Sequence, residues 1–116
     1  MNIEASFIQW LGELGYEAYA TVPKSRPDSF VTVERTGGDA DNLLDSPYLA
    51  VQVWDTTRQA AADNAAAIRL SCLEASQAGN LPDGIYTVRG GSLYWFPDPD
   101  SRQARYQITF NVTSKL

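Results

Sequence analysis

Apolar residues recur at helical spacing at the start of the chain. Ile3, Phe7, Leu11 and Leu14 are four, four and three residues apart, and a glycine follows them directly. This periodicity places the four side chains on one face of a helix, and glycine commonly follows the last helical turn. The pattern therefore predicts an amphipathic helix over residues 2–15.

A second helical pattern occupies the middle of the chain. Its apolar positions, separated by four, three, four and three residues, are Ala61, Ala65, Ile68, Cys72 and Ala75. Thr56 and Gln59 have the T-x-x-Q spacing of a capping box, and Gly79 is placed to end the helix. We therefore predict a helix over residues 56–78.

Six further segments have the alternating or β-branched composition of strands. They are residues 17–22, 30–36, 48–54, 85–89, 92–96 and 104–113. Turns or loops are predicted at residues 23–29, 37–46 and 97–101 and at Gly90-Gly91. The element order α-β-β-β-α-β-β-β predicts an α+β fold with two helices packed on a mixed or mainly antiparallel sheet. We expect the last three strands to form a meander and residues 1–116 to form a single domain.

The third predicted strand has large side chains on both faces. Leu49, Val51 and Val53 share one face, whereas Gln52 and Trp54 lie on the other because side chains alternate along a strand. Either the chain itself also covers this second face, or Trp54 belongs to an interface with another subunit. The alternation alone leaves both interpretations open.

The run Leu93-Tyr94-Trp95-Phe96 also places large apolar residues on both faces of a short strand. A one-sided sheet would expose half of them, and two helices have limited reach. Contact with another subunit would remove the remainder from water, so the run indicates oligomerisation. The candidate interface residues are Gln52, Trp54, Tyr94 and Phe96.

The segment between the second and third strands is the candidate for a mobile loop. It is polar, and it contains just one apolar pair, Leu43-Leu44. We expect it to be mobile in the isolated subunit and to become ordered only against a neighbour. The residues assigned to this flexible loop are Gly37, Gly38, Asp39, Asp41 and Asp45.

The composition argues against most kinds of catalysis. The 116 residues include no histidine and one cysteine, Cys72, so the commonest general base and metal ligand is missing. Neither G-x-x-x-x-G-K-[ST] nor G-x-G-x-x-G occurs, and the three aspartates of the predicted loop lack the spacing of a calcium-binding loop. We expect no enzymatic activity, and we predict no catalytic, cofactor-binding or metal-binding residue.

The charge and the apolar runs restrict the partners. Nine lysines and arginines stand against fourteen aspartates and glutamates, which gives a net charge of -5, and the basic residues are scattered. Such a chain is not expected to bind nucleic acid tightly. The apolar runs are far shorter than the roughly 20 residues that span a bilayer, and we expect no secretion signal. We expect no membrane segment and synthesis in a reducing cytoplasm.

Several segments resemble small tail-terminator or tail-completion proteins of siphophages and their prophages. The segments that resemble them are NIEASFIQWLGELG, the V-P-x-x-R-P stretch at residues 22–27, FVTVERTGG, PYLAVQVWD and TTRQAAADNAA. The resemblance covers nearly the whole chain. Its markers are patterns of strand and helix rather than catalytic signatures.

The resemblance implies a compact subunit that forms a hexameric ring at the top of the tail tube. Such a ring ends tube growth and presents a surface to the head-tail connector, so the implied partners are copies of itself, the tube protein and the connector. The implied location is the tail-head junction of a virion, after assembly in the cytoplasm of a bacterial host. The acidity suits a ring through which DNA passes, because tight phosphate binding would hinder that passage.

Two other classes of function are compatible with the sequence. One is a small bacterial ligand-binding or regulatory module of similar topology, and the other is a small hydrolase that uses carboxylates. Neighbouring genes would discriminate between them. Capsid, connector, tube and tape-measure genes would support the phage hypothesis, and an operon of metabolic genes would support the regulatory module.

Overall fold

The first helix begins at a side-chain cap and is followed by a left-handed glycine. In the computed structural model, which describes residues 1–116, this helix (α1) spans Ile3–Glu13. The Asn2 side chain accepts a hydrogen bond from the Ala5 backbone N–H (3.1 Å), and Gly15 has a φ of +100°. The buried side chains of α1 are Ile3, Phe7, Trp10 and Leu11. The predicted helix is confirmed, with slightly shorter ends.

Five strands form a single sheet. They are β1 (Ala18–Tyr19), β2 (Phe30–Asp41), β3 (Leu44–Asp55), β4 (Ile85–Trp95) and β5 (Ala104–Lys115). Their order across the sheet is β1-β2-β3-β5-β4. β1 runs parallel to β2, and every other neighbouring pair is antiparallel. Together with the two helices, this mixed and mainly antiparallel sheet confirms the predicted α+β fold.

β4 continues through the Gly90-Gly91 pair without a turn. It stays paired with β5 on both sides of the pair, with a register shift between Gly90 and Ser92. The two glycines have φ values of +85° and +79°, which supply the left-handed backbone of a β-bulge. The predictions of a turn here, of two separate strands and of a meander are therefore wrong. β5 instead lies between β3 and β4.

The predicted loop over residues 37–46 is also wrong, because these residues extend β2 and β3 into a long hairpin. The two strands pair as far as Asp41 and Leu44, so the connecting turn is Asn42-Leu43. Both turn residues have positive φ, +51° and +66°, as in a type I′ turn. The chain therefore reverses at Asn42-Leu43, and the glycines at 37 and 38 lie inside β2 beside a bulge.

The second helix, α2, spans Arg58–Ala78, and Gly79 caps its end with a φ of +74°. Its N-cap is Thr57, whose side chain accepts a hydrogen bond from the Ala60 backbone N–H (3.1 Å). The predicted cap at Thr56 is therefore wrong by one residue. The buried positions of α2 are Ala61, Ala65, Ile68 and Cys72, which the apolar spacing had predicted.

Both helices pack on the same face of the sheet. α1 contacts β1 and β2, whereas α2 contacts β3, β4 and β5. The resulting core includes Phe7, Ile68, Val51, Ile108 and Phe110. No helix lies over the opposite face, which we call the open face. The chain therefore has two layers, and one side of the sheet carries no helix.

Helix side chains bind the backbone at both edges of the sheet. At the β4 edge, the Val88 N–H donates to the Ser76 hydroxyl (2.9 Å), and the Arg69 guanidinium donates to the Gly91 carbonyl (3.2 Å). Near the other edge, the Arg35 N–H of β2 donates to the Glu4 carboxylate of α1 (2.9 Å). These bonds occupy backbone groups that a strand from another chain would otherwise pair with.

Candidate functional site

The open face is the candidate functional surface, and alternation along the strands determines which residues lie on it. Directly opposed residues of neighbouring strands share a face, so the pairing register determines which residues lie on the open face. Across the centre of the sheet the paired residues are Thr32 with Gln52, Gln52 with Gln107, and Gln107 with Tyr94. Trp54 lies two residues beyond Gln52 and belongs to the same face.

The structure therefore brings the four candidate interface residues together. Gln52, Trp54 and Tyr94 lie on the open face, and Phe96 follows directly after β4. The rings of Tyr94 and Phe96 meet edge to face, with centroids 6.0 Å apart and an interplanar angle of 73°. The two-residue period of the strands was sufficient to predict that Gln52 and Trp54 share a face.

A chain of side-chain hydrogen bonds crosses the open face from β2 to β4. The Trp54 indole N–H donates to the Thr32 hydroxyl (3.2 Å), which donates to the Gln52 amide oxygen (3.1 Å). The Gln52 amide nitrogen donates to the Gln107 oxygen (3.0 Å), and the Gln107 nitrogen donates to the Tyr94 hydroxyl. The bonds run in one direction, so the Tyr94 O–H remains free to donate to a partner.

Trp54 is covered by its own chain, so the interpretation that placed it in a subunit interface is wrong. It is 2% exposed and stacks on Phe30, with centroids 5.2 Å apart and an interplanar angle of 11°. Guanidinium groups also cover its ring, since Arg105 and Arg26 lie 4.9 Å and 5.3 Å from the centroid. Arg26 comes from the segment between β1 and β2, and no local sequence signal indicated that it folds over Trp54.

The side-chain amide of Gln52 also has its hydrogen-bond partners within the subunit. Its amide oxygen accepts from Thr32 and its amide nitrogen donates to Gln107. A partner would have to compete with these two bonds in order to bind the amide. Gln52 is therefore better described as part of the internal network than as a free contact residue, and Tyr94 and Phe96 remain the exposed members of the predicted set.

Tyr94 and Phe96 are the exposed aromatic residues of an arginine–aromatic corner, which we define as Arg26, Trp54, Tyr94, Phe96 and Arg105. Tyr94 is 39% exposed and Phe96 is 40% exposed. The Arg105 guanidinium lies 4.5 Å from the Phe96 ring centroid and donates to the Phe96 carbonyl (2.7 Å). The arginine is thus held by its ring and backbone contacts, and both aromatic rings remain partly exposed.

Asp98 is the carboxylate that lies next to this corner. Its side chain is 3.7 Å from the Arg26 guanidinium and accepts a hydrogen bond from the Asp100 N–H (3.2 Å). Burial opposes its ionisation. The hydrogen bonds from the Asp100 N–H and the Ser101 side chain, together with the charges of Arg105 and Arg26, outweigh burial and hold the pKa of Asp98 below its ordinary value. Asp98 therefore offsets part of the positive charge of the corner.

The hairpin end, which we define as residues 36–44, lies at the opposite end of the open face. All of its residues are exposed, including Asp39 and Asp41, and Leu43 is 79% exposed. Asp39 pairs with Ser46 and Asp41 with Leu44, so their side chains point to the same side as the open face. Four of the five predicted loop residues, Gly37, Gly38, Asp39 and Asp41, thus lie in β2.

Asp45, the fifth predicted loop residue, belongs to β3 and has a structural role. It is 6% exposed and accepts two hydrogen bonds from the Arg35 guanidinium, at 2.6 Å and 2.9 Å. The hydrogen bond from Arg35 lowers the pKa of Asp45, and this effect exceeds the opposing effect of burial. The three aspartates that sequence reasoning grouped together are therefore one buried ion-pair residue and two exposed charges.

An open groove of about 420 Å³ lies beside the central network. Its lining residues are Ala20, Thr21, Val22, Thr32, Glu34 and Gln52. Glu34 is the titratable residue of this lining, and the other groups are hydroxyls, an amide and small apolar side chains. The groove can accept hydrogen bonds and a cation through Glu34, and it contains no nucleophile and base in contact.

No group of three or more His, Cys, Asp and Glu side chains is arranged to hold a metal ion. Neither helix is long and apolar enough to cross a membrane. No protein-family model matches the chain, and no curated protein matches it.

Proposed function

We propose that this chain is a non-enzymatic structural subunit of a phage or prophage tail. In this proposal, copies assemble into a ring, with six as the expected number, that caps the tail tube and contributes to head-tail joining. The partners are copies of the chain, the tube protein and the head-tail connector. The ring would occupy the tail-head junction of the virion after assembly in the cytoplasm of the bacterial host.

The open face is the observation that supports this proposal best. A sheet covered by helices on one side leaves its other side for contacts, and here that side ends in exposed aromatic rings at one end and an exposed apolar turn at the other. Tyr94 and Phe96 are aromatic residues of the kind enriched at protein interfaces, and burial of the exposed Leu43 side chain would remove a large apolar group from water. Three backbone groups at the sheet edges are occupied by helix side chains, which disfavours strand addition at those positions.

Deletion of the gene in a lysogen that produces particles would test the proposal. We expect particles with tails of unregulated length and heads that remain unjoined, and we expect the wild-type gene supplied in trans to restore them. Leu70 is 59% exposed on α2, away from the open face, so a Leu70→Ala variant provides a matched control that should also restore them. Normal particles from the deletion strain would refute the proposed function.

The open groove favours one second candidate, a small bacterial ligand-binding or regulatory module. Thr32, Glu34 and Gln52 could bind a small cationic or polar molecule there. A thermal-shift screen of polar metabolites would test this alternative, with Glu34→Gln as the variant that should abolish any shift. A saturable shift that depends on Glu34, together with normal particles after deletion, would favour the module.

A further inference from the structure

Leu43 combines two features that are each unfavourable in a free subunit. Its φ of +66° lies in the left-handed region, which bulky residues seldom adopt and which glycine usually supplies at this position of a type I′ turn. Its side chain is also 79% exposed, although it is a large apolar residue. A contact that buries Leu43 would account for a leucine where local structure favours glycine.

Charge distinguishes the two ends of the open face. The hairpin end presents Asp39 and Asp41 on the open-face side, where a single lysine, Lys115 of β5, pairs with Leu44. The arginine–aromatic corner presents Arg26 and Arg105, with Asp98 offsetting part of their charge. In a chain of net charge -5, a basic corner is a local exception. The two ends therefore have complementary charges, which favours their approach in different copies.

One subunit cannot bring its own two ends together. β3 runs from Leu44 at the hairpin end to Trp54 at the corner, a separation of about 33 Å at 3.3 Å per residue. This separation is most of the 44 Å length of the molecule. A contact between the ends must therefore join different copies, and because the two surfaces differ, it is a head-to-tail contact of the kind that closes into rings.

We infer that the hairpin end of one copy binds the arginine–aromatic corner of the next copy. Leu43 packs against the exposed edges of Tyr94 and Phe96, and Asp39 and Asp41 face the two arginines. This contact rests on the self-assembly proposed above and specifies which surfaces meet. The repeated partner is thus a second copy of this chain, held by an apolar anchor with acidic residues beside it.

Replacement of the turn leucine separates assembly from folding. Leu43→Gly removes the anchor and relieves the left-handed backbone, so it should raise or preserve the melting temperature while it weakens self-association. We expect the dissociation constant of each contact to rise about tenfold to a hundredfold, as measured by sedimentation across a concentration series. Leu70→Ala, which truncates an exposed leucine on α2 in the helical layer, should leave self-association unchanged. A folded Leu43→Gly protein that associates like the wild type would refute the contact.

Cysteine crosslinking tests the geometry directly. Cys72 is buried, and burial raises the pKa of its thiol to about 12, so we expect reagents to react with the new cysteines and not with Cys72. Ala40→Cys places a thiol on the hairpin end and Pro97→Cys places one beside the corner, and both positions are exposed. In assembled particles treated with a bismaleimide, a chain with both cysteines should give a ladder of multimers. Ala40→Cys combined with Leu70→Cys should give none.

Three results would separate the contact from the proposed function. A multimer ladder from Ala40→Cys/Pro97→Cys supports the contact. Dimers from Ala40→Cys alone, or equal yields from both cysteine pairs in assembled particles, overturn it and leave ring assembly in place. If deletion of the gene leaves particles normal and no variant forms multimers, both the proposed function and the contact are refuted.

Discussion

At the residue scale, Trp54 is held by parts of the chain that are far apart in sequence. Phe30 stacks on one side of its ring, two arginines cover it, and Thr32 accepts its indole N–H. An aromatic side chain with this many internal partners contributes to folding before it can contribute to assembly. Its mutation is therefore expected to act on stability first.

Trp54→Ala should lower the free energy of unfolding by about 3–5 kcal/mol, because it removes a fully buried aromatic side chain. Trp54→Phe keeps most of the packing and loses the hydrogen bond to Thr32, so it should cost about 1 kcal/mol for that bond, plus any loss of packing. Urea denaturation of the two variants measures both values. A loss below about 1 kcal/mol for Trp54→Ala would contradict the burial described here.

The ion pair of Arg35 and Asp45 gives the chain a predictable response to acid. The lowered pKa of Asp45 means that its ionised form is favoured in the folded state, chiefly through the Arg35 hydrogen bonds. A group whose pKa is lower when folded stabilises the fold above its ordinary value, about 3.9 for aspartate. The stabilisation is lost as pH falls through the lowered folded value.

Asp45→Asn should therefore lower the free energy of unfolding at neutral pH by about 1–2 kcal/mol, allowing for the partial exposure of Arg35. The difference in free energy of unfolding between Asp45→Asn and the wild type should shrink as the pH is lowered from about 5 to about 2. Asp39→Asn, at an exposed position, should leave stability unchanged throughout. An Asp45→Asn effect that is constant with pH would contradict the assigned ion pair.

At the scale of elements, the β2-β3 hairpin depends on the glycine at position 38. A Cβ atom built on Gly38, which has a φ of +110°, would lie 2.2 Å from the Ser46 carbonyl oxygen and 2.7 Å from the Pro47 Cα. Both neighbours are backbone atoms of β3 and cannot move without breaking the pairing. No other residue fits this position without displacement of the strand.

Gly38→Ala should lower the free energy of unfolding by about 1–3 kcal/mol, because it combines a left-handed φ with a backbone clash. Gly12→Ala is the matched control, since a Cβ atom at Gly12 in α1 meets nothing within 4 Å. It should stabilise the chain by about 0.5–1 kcal/mol through helix propensity. The melting temperatures of the two variants should therefore shift in opposite directions. Shifts in the same direction would contradict the requirement for glycine at position 38.

The mobility of the hairpin end remains a prediction that hydrogen exchange can test. In a verified monomer, amides of residues 37–41 should exchange faster than those of residues 49–53, because they lie in an exposed edge strand and not at the sheet centre. Assembly should slow their exchange if a neighbouring copy binds the hairpin end. Equal protection of the two segments in the monomer would show that the hairpin end is rigid by itself.

Local periodicity was sufficient to predict most of the elements. The apolar spacing of α1 and α2 and the alternation in β5 identified those elements, because each buries a single face against the core. The glycine pairs misled the prediction in two places. A glycine pair is compatible with a turn and with a bulge, and only the pairing with a neighbouring strand decides between them.

The candidate site could be predicted only in part, because local sequence patterns do not show tertiary contacts. Period-two alternation placed Gln52 and Trp54 on one face, but it contains no information on what covers that face. Arg26 and Arg105 reach Trp54 from distant parts of the chain, and the turn at Asn42-Leu43 lacks the usual glycine. Both features depend on tertiary contacts, so sequence spacing could not locate them.

At the scale of the whole molecule, Cys72 reports on the integrity of the core. It is fully buried between α2 and the sheet, and burial raises the pKa of its thiol to about 12. We expect a thiol reagent at neutral pH to label the folded chain only through global unfolding, at a rate that rises with urea in parallel with the unfolded fraction. Rapid labelling without denaturant would show that α2 separates from the sheet locally.

The side chains that bind the sheet edges affect how free copies of the chain associate before assembly. Ser76, Arg69 and Glu4 occupy backbone groups that could otherwise join strand to strand without limit, as in fibres. Where these groups are occupied, concentrated copies are less able to join edge to edge into fibres. Under the proposed function, copies that meet before a tube is finished then associate reversibly through side chains, so they remain able to join the tube when it arrives.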